Sequence, residues 1–563
     1  MDLAEALAQH KASNYLVAEQ AYIKLLSNDA SNADIHHLLA ILYGQQNQLE
    51  QAEQHITKAL ELNPTSPSFY NSCANIKKYQ SDFENAVKFY QKSLELNPNN
   101  PAAHYNLGLI NIQLQKSEAA IENLETAIKQ KHDYDDAYIT LTQHLFEAGK
   151  IDKAIKLLDK SKKHNFNNAK FIKLNALKYQ HQGKIENAIA ELEKYIAINP
   201  NDYSGYHYLA AAELSQGKIQ EATSNYLRAL DLKEDHHKSH HNIAVIYLTQ
   251  NKLDLALKHW LRAISYEMNI DYLYNTAVVY NYKGQYSNAL TYFEKCLEYD
   301  ARHYNSIANI AVIYLKKNMP VEAKFYFRKA LEIKPDDEQN LYMLSALDNN
   351  QESFTAAPKS YVTDLFDQYA NTFDEHLTKV LQYDAPNVIY NLLCKYNNFE
   401  NSKDLTICDI GCGTGFMGKK LYEHAKELEG VDLASKMLEK AKDKNIYTKL
   451  EQSDICEYLM NNIAKYDYIT AADVIPYVGD LKYIFKAAHT ALKANAYFVF
   501  SVEKSDDIDY QLQPNGRFNH KDTYVTALAA ISGFEIIANE EHSTRKEGTT
   551  AINCNIFLFK KIT

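Results

Sequence analysis

The segment Asp-Ile-Gly-Cys-Gly-Thr-Gly, Asp409 to Gly415, gathers the residues best suited to chemistry on a bound ligand. It follows the apolar run Leu-Thr-Ile-Cys-Asp-Ile and opens a predicted helix, a place where glycines let the backbone turn sharply and approach a ligand closely. Of the 16 glycines, Gly411, Gly413, Gly415, Gly418 and Gly430 cluster here, whereas seven are spread over the first 350 residues. Asp432 ends a second apolar run, where a carboxylate can accept both hydroxyls of a ribose. Asp454 and Ile455 follow a third strand, and Asp473 and Tyr477 follow a fourth, in Ala-Ala-Asp-Val-Ile-Pro-Tyr-Val-Gly-Asp. Gly413, Gly415 and Gly418 also spell the dinucleotide fingerprint G-x-G-x-x-G. Asp432 and Asp454 equally suit the capping of the helices they precede. Spacing alone leaves these alternatives open.

The segment from Glu503 to His520 lies between a fifth strand and the next helix and adds Tyr510, Arg517 and His520 on the side expected for a substrate. Arg517 can hold a carboxylate, and His520 can accept a proton near neutral pH. Arg545 and Glu547, in Thr-Arg-Lys-Glu-Gly, stand out without an assigned role.

Positioning such residues takes alternating strands and helices. The β-rich runs 405–410, Glu-Leu-Glu-Gly-Val-Asp-Leu, Tyr-Asp-Tyr-Ile-Thr-Ala-Ala and Tyr-Phe-Val-Phe-Ser-Val alternate with helices predicted to about Lys426, over 435–443 and over 481–493. This is the pattern of a doubly wound parallel sheet. The runs Phe-Glu-Ile-Ile-Ala-Asn-Glu-Glu and Ala-Ile-Asn-Cys-Asn-Ile-Phe-Leu-Phe close it with a hairpin, giving seven strands.

The first 340 residues follow a different rule. Alanines recur at 18, 52, 86, 120, 154, 188, 222, 256, 289 and 323, at intervals of 34 with one of 33. A bulky residue often follows four later, as at Tyr22, Tyr90, Tyr226, Trp260, Phe293 and Phe327. Helices that cross closely require a small side chain at the crossing. The pattern resembles about ten tetratricopeptide repeats, which implies an all-α superhelix whose groove holds a peptide or partner. Asn106, Asn242, Asn275 and Asn309 share one repeat position, so an asparagine ladder on an extended peptide is expected, each amide offering a donor and an acceptor. His236, His237, His240 and His241 form a cluster that reads as a surface turn rather than a metal site, and no metal is expected. After Pro335 one further helix should cap the array with a polar face, followed by a linker over 349–360.

Composition narrows the function classes. The 563 residues carry a net charge of −11, so no broad basic field points to nucleic acid. No apolar run is long enough to span a membrane, and seven scattered cysteines lack a C-x-x-C pair; a cytoplasmic chain with free thiols is expected.

The Asp409–Gly415 segment, followed by Gly-Val-Asp-Leu-Ala-Ser-Lys-Met-Leu-Glu-Lys-Ala-Lys and Ser-Asp-Ile-Cys-Glu-Tyr-Leu, resembles class I methyltransferases. The resemblance implies S-adenosylmethionine as cofactor, held by Asp409, Gly411, Cys412, Gly413, Gly415, Asp432, Leu433, Asp454 and Ile455. Residues 365–386 resemble the lead-in helices of methyltransferases fused to tetratricopeptide repeats, with Tyr369 and Phe373 closing over the cofactor. The expected organisation is therefore a repeat superhelix over 1–336, a capping helix and linker over 337–359, and a methyltransferase domain over 360–563. Catalytic roles fall to Asp473, Tyr477 and His520. The motif after the fourth strand departs from the N/D-P-P-Y of amide and adenine N-methyltransferases, which lowers the weight of that substrate class. Protein methylation guided by the repeats is the leading expectation. The alternatives are a small-molecule methyltransferase whose repeats serve assembly, and a repeat scaffold with a cofactor-sensing domain.

Overall fold

The computed structural model describes residues 1–164, 168–348, 354–370, 373–397, 399–506, 508–547 and 550–562. The chain divides into two compact units, Met1–Tyr272 and Leu273–Thr563.

The first unit consists of paired helices. Leu3–Lys11 pairs with Tyr15–Asn28, Ala33–Gln45 with Leu49–Leu62 and Pro67–Tyr79 with Phe83–Leu96, and the alternation continues to Leu253–Tyr266. Each period-defining alanine in this unit is fully buried, as are Tyr22, Tyr90, Tyr226 and Trp260. The crossings leave no room for more: a Cβ on Gly108 would lie 2.7 Å from Leu124 Cγ. A feature the sequence reading passed over recurs with the same period. Ser13, Asn47, Ser81, Gln115, Gly149, Gly183, Gly217 and Asn251 all take left-handed backbone angles at the turn inside each pair. That conformation ends a helix cleanly and favours glycine, then asparagine.

The second unit joins further helices, among them Tyr286–Tyr299, Tyr304–Lys316 and Pro320–Leu331, to a sheet with nine strands among the described residues. Its strands are β1 (Leu405–Ile410), β2 (Ala425–Asp432), β3 (Lys449–Gln452), β4 (Tyr466–Ala471), β5 (Leu492–Ser505), β6 (Tyr510–Leu512), β7 (Phe518–Lys521), β8 (Phe534–Glu547) and β9 (Thr550–Lys561). β3, β2, β1, β4 and β5 run parallel in that spatial order. β9 lies antiparallel beside β5 and β8 antiparallel beside β9, which gives the expected seven-stranded core with its closing hairpin. The additional two strands come from the Glu503–His520 segment. β7 pairs with the C-terminal end of β5, past the last residue paired with β4, and β6 folds back on β7. Side-chain alternation fills both faces of the sheet. Phe498, Phe500, Phe557 and Phe559 pack with Phe485 on one face. Val499, Ile556 and Leu558 pack with Ile389 and Leu393 on the other.

Two expectations about connections need correcting. The helix after the glycine turn spans only Gly418–Leu421, because the chain must reverse in time for Ala425 to pair with Leu405. The helix Glu338–Asp348 does not end the repeats with a polar face: Tyr342, Met343, Ala346 and Leu347 are buried in a cluster with Leu512 and Phe518 of the β6–β7 hairpin. Part of the expected linker is likewise tied down, since Ala357 N–H donates to Tyr477 O and Gly479 N–H to Thr355 O; residues 349–353 lie outside the described residues.

Gln115 holds its left-handed angle at φ 57° without the freedom of glycine. Gln115→Gly should stabilise the protein by about 0.5–1 kcal/mol, measured as a raised urea midpoint at unchanged slope.

Candidate active site

Four consecutive parallel strands deliver their following residues to one cavity of about 820 Å³. Asp409, Gly411, Cys412 and Gly413 come from the β1 turn, Asp432 and Leu433 from the end of β2, Asp454 and Ile455 from the end of β3, and Asp473 and Tyr477 from beyond β4. Tyr369 and Phe373 of the lead-in segment line it too. Gly415 and His520 are absent from its lining.

The glycine turn is shaped by close approach. Gly411, Gly413 and Gly415 have φ of 61°, 53° and 89°. A Cβ on Gly411 would stand 2.4 Å from Val474 Cγ2, and one on Gly415 would stand 3.0 Å from the Tyr447 ring. Asp409 lies beneath this turn, almost wholly buried, accepting from Tyr447 Oη at 2.7 Å and Thr470 Oγ1 at 2.8 Å. Burial outweighs these hydrogen bonds and pushes its carboxyl up to about 6.

Asp432 accepts from Gly413 N at 2.8 Å through one oxygen and from Ala434 N at 2.9 Å through the other, so it holds the glycine turn against the end of β2. Asp454 is the N-cap of the helix Ile455–Met460, accepting from Cys456 N at 3.0 Å and Glu457 N at 3.1 Å, and its second oxygen lies 3.2 Å from Lys359 Nζ. The capping contacts weighed from sequence are thus present at Asp454, while Asp432 braces the turn.

The lead-in segment is pinned over this half of the cavity. Asp374 accepts a hydrogen bond from Thr414 Oγ1 and pairs with Lys444 at 3.0 Å, and Asp367 accepts from Lys436 N at 2.9 Å. Phe366 meets Phe373 and Tyr477 edge-on, with ring centroids 6.0 and 5.5 Å apart.

The opposite half is built on charge. Arg517 donates through Nε to Glu503 at 2.6 Å, through Nη2 to Asp473 at 2.7 Å and through Nη1 to Tyr477 Oη at 3.1 Å. Arg545 donates to Asp473 at 2.9 and 3.1 Å and to Glu503 at 2.5 Å. Burial alone would raise the carboxyl of Asp473, but the two guanidinium groups override it and hold the group below the usual carboxylate range. Asp473 adopts φ 63° to present its carboxylate, with its N–H donating to Ser501 Oγ at 2.9 Å.

Sequence reasoning singled out Arg517 and Arg545 but missed Glu503, which neutralises them together with Asp473. The signal was present: an acid in the apolar run of β5 requires a cationic partner, and the chain has only six arginines. The side chain of Glu547 lies outside the described residues. The expectations for Tyr510 and His520 are corrected. His520 is wholly buried with Nε2 3.0 Å from Gly479 O, and burial drives its imidazole down to about 4, so it has neither access to the cavity nor a proton affinity suited to a base at neutral pH. Tyr510 lies tilted beside it on the hairpin, 6.3 Å between centroids, away from the cavity lining.

In the first unit, His237 Nδ1 lies 2.9 Å from Tyr272 Oη, His240 Nδ1 2.9 Å from His259 Nδ1, and His241 Nδ1 accepts from Trp260 Nε1 at 3.1 Å. His240 is buried, the other three histidines are half-buried at the turn and first turns of the helix His237–Thr249, and each ring bonds within the chain. Asn106 accepts from Lys78 Nζ, and Asn242 donates to Tyr226 Oη. In the second unit Asn309 donates to Tyr274 Oη and Asn305 O.

Comparison with known proteins identifies both parts of this architecture. Residues 401–548 match a family described as a methyltransferase domain. Tetratricopeptide-repeat families match residues 33–66, 74–115, 111–177, 177–202, 209–267 and 282–347. The chain carries tetratricopeptide repeats and a methyltransferase domain. Similar curated proteins include a biotin biosynthesis bifunctional protein BioHC of Saccharophagus degradans, 31% identical over 114 residues, which are 20% of this chain and 20% of that protein. Another is a ubiquinone biosynthesis O-methyltransferase of Hydrogenovibrio crunogenus, 26% identical over 141 residues, 24% of this chain and 57% of that protein. The similarity therefore spans a fifth to just over half of these relatives' length. Among solved structures, YrrB, described as a tetratricopeptide-repeat protein with an unusual peptide-binding site, is 17% identical over 41% of this chain and 98% of its own, with a TM-score of 0.26.

Two measurements test the electrostatics. Folding raises the Asp409 carboxyl from 3.8 to about 6, so the native state binds its proton more tightly than the unfolded chain. This group's contribution to stability is therefore greatest below about pH 4 and declines by about 2–3 kcal/mol as pH rises to about 6 and beyond. Asp409→Asn should match wild type near pH 4 and exceed it in urea unfolding at pH 7, the gap growing with pH. Arg545→Met leaves two carboxylates sharing one guanidinium and should cost about 3–5 kcal/mol, part of which Glu503→Gln restores in the double variant.

Proposed function

We propose that the protein transfers a methyl group from S-adenosylmethionine, bound between the glycine turn and the lead-in helices, to an acceptor that enters beside Asp473 and Tyr477. The observation that carries the reading is the convergence on one cavity of residues from the C-terminal ends of four parallel strands, where ligands of doubly wound sheets bind. The antiparallel β9 supports the methyl donor over a dinucleotide, since the dinucleotide architecture keeps its sheet parallel.

The residues present suit that cofactor. Gly413 leaves open space that a side chain would narrow, since a Cβ there would meet only Phe373 at 3.9 Å, and Asp432 keeps acceptor capacity beyond its two backbone bonds, enough for ribose hydroxyls. Leu433, Ile455 and Asp454 provide apolar walls and one acid for a base, and Tyr369 and Phe373 exclude water above them. The bound cofactor supplies an electrophilic methyl carbon, and the protein's own task is alignment and dehydration. Asp473, fixed in ionised form by two guanidiniums, orients Arg517, while Arg517 orients the Tyr477 hydroxyl. This leaves Asp473 and Tyr477 as acceptor-positioning groups, with no imidazole in the cavity lining from His520.

The repeats supply recruitment of a protein substrate or partner. Asn106, Asn242 and Asn309 already bond within the chain, so a peptide held by the ladder with Asn275 would use the amide groups they leave over. A small-molecule acceptor is the second reading, favoured by the ubiquinone O-methyltransferase named among the relatives. Residues 360–563 are the proposed extent of the catalytic domain.

Calorimetric titration of the full chain with S-adenosylmethionine should show saturable binding that Asp432→Ala weakens by about 10- to 100-fold, with no heat from NAD. Binding of NAD in place of the methyl donor would overturn the assignment. Transfer of labelled methyl to lysate polypeptides, rather than to small molecules, then separates the two acceptor classes.

A further inference from the structure

The turn that carries Arg517 is held from outside the methyltransferase domain. Between β6 and β7 the chain reverses through residues 513–517, closed by Gln513 N–H donating to Arg517 O at 2.8 Å and Gly516 N–H donating to Gln513 O at 2.9 Å. Among the described residues the turn has no strand neighbour of its own, because β6 pairs only with β7 and β7 meets β5 through three residue pairs. Its support comes from the helix Glu338–Asp348, in the region matched by a tetratricopeptide-repeat family.

Tyr342 of that helix is fully buried, and its hydroxyl donates to Gly516 O at 2.9 Å. Gly516 has φ 76°, and a Cβ there would lie 2.6 Å from Tyr361 Oη and 3.3 Å from Met343 Sδ. The peptide before Arg517 is therefore clamped between a repeat helix and the lead-in helix Lys359–Tyr369. The next residue, Arg517, places three separate donors on Glu503, Asp473 and Tyr477. A guanidinium fork satisfies three acceptors only while its Cα stays within a few tenths of an ångström of one position.

We propose that Tyr342 is a positioning residue for the acceptor end of the cavity: through its hydrogen bond to Gly516 the last repeat helix sets Arg517, and with it Asp473 and Tyr477. The functional meaning of this contact rests on the methyl-transfer reading, but the contact itself does not. The repeats then do more than recruit, because one of their side chains belongs to the support of the catalytic pocket.

The test uses the full chain labelled with 15N-arginine, whose six arginines give a readily assigned set of Nε–H signals, the Arg517 signal being identified by its loss in Arg517→Lys. Tyr342→Phe removes one hydroxyl and keeps the ring. It should shift the Arg517 Nε–H signal and speed its exchange with water by about five- to tenfold, the effect of losing one buried hydrogen bond on local opening. Tyr361→Phe removes a neighbouring hydroxyl that does not bond to Gly516 O and should leave the Arg517 signal where it was. Met343→Ala, which opens space under the same turn, provides a second route should Tyr342→Phe unfold. An Arg517 signal unchanged in shift and exchange in the folded Tyr342 or Met343 variant overturns the proposal. Calorimetry with S-adenosylmethionine on the same samples keeps the two readings apart: loss of cofactor binding in wild type defeats the methyl-transfer reading, whereas only the Arg517 signal decides the role of Tyr342.

Discussion

The grouping of two guanidiniums and two carboxylates, with Arg545 and Glu503 buried and Arg517 and Asp473 half-buried, is the constraint around which the catalytic half of the molecule is arranged. Asp473 comes from the turn after β4, Glu503 from β5, Arg517 from the β6–β7 turn and Arg545 from β8. Desolvating four charges is tolerable only if each retains its opposite neighbours at hydrogen-bond distance. Four chain segments must therefore arrive together, and the hairpin β6–β7, the length of β5 and the return of β8 all serve that requirement. A neutral sum leaves the wall of the cavity polar without a strong net field.

The other half of the cavity depends on absence of side chain rather than on charge. Gly411 lets Val474 approach, Gly418 lies against Tyr447, and Tyr447 in turn satisfies the buried Asp409. The acid under the turn stabilises the loop geometry through two hydroxyl donors at the expense of a raised proton affinity. Asp432 completes the arrangement by tying Gly413 to the strand beside it. The lead-in segment, pinned by Asp367 and Asp374, is part of the same construction.

Periodicity made the fold legible. A 34-residue recurrence of alanine reports a helix crossing, and a strand followed by glycines and an acid reports a ligand-facing turn, because each rests on local geometry. The β6–β7 hairpin was hidden since its strands have three and four residues and owe their pairing to the far end of β5. His520 misled for a related reason: residue type reveals chemistry, but only the hairpin decides that its ring points into the core. The fate of the Glu338–Asp348 helix was equally closed to local reading, for its apolar face finds its partner, Phe518, far along the chain.

The rims of the sheet carry a consequence for life in a crowded solution. β3, at one rim, has four residues, and β8, at another, runs for 14 residues as Phe-Glu-Ile-Ile-Ala-Asn-Glu-Glu-His-Ser-Thr-Arg-Lys-Glu. A long open strand is a template on which a second chain can pair. Here the outer strand carries the charged residues Glu535, Glu540, Glu541 and Lys546, and its pairing with β9 is interrupted by register shifts near Ile536 and Ser543. Near its C-terminal end the edge is also occupied, with Lys546 N–H donating to Leu381 O and Asp384 N–H to Thr544 O, so that stretch of the strand is closed to another chain.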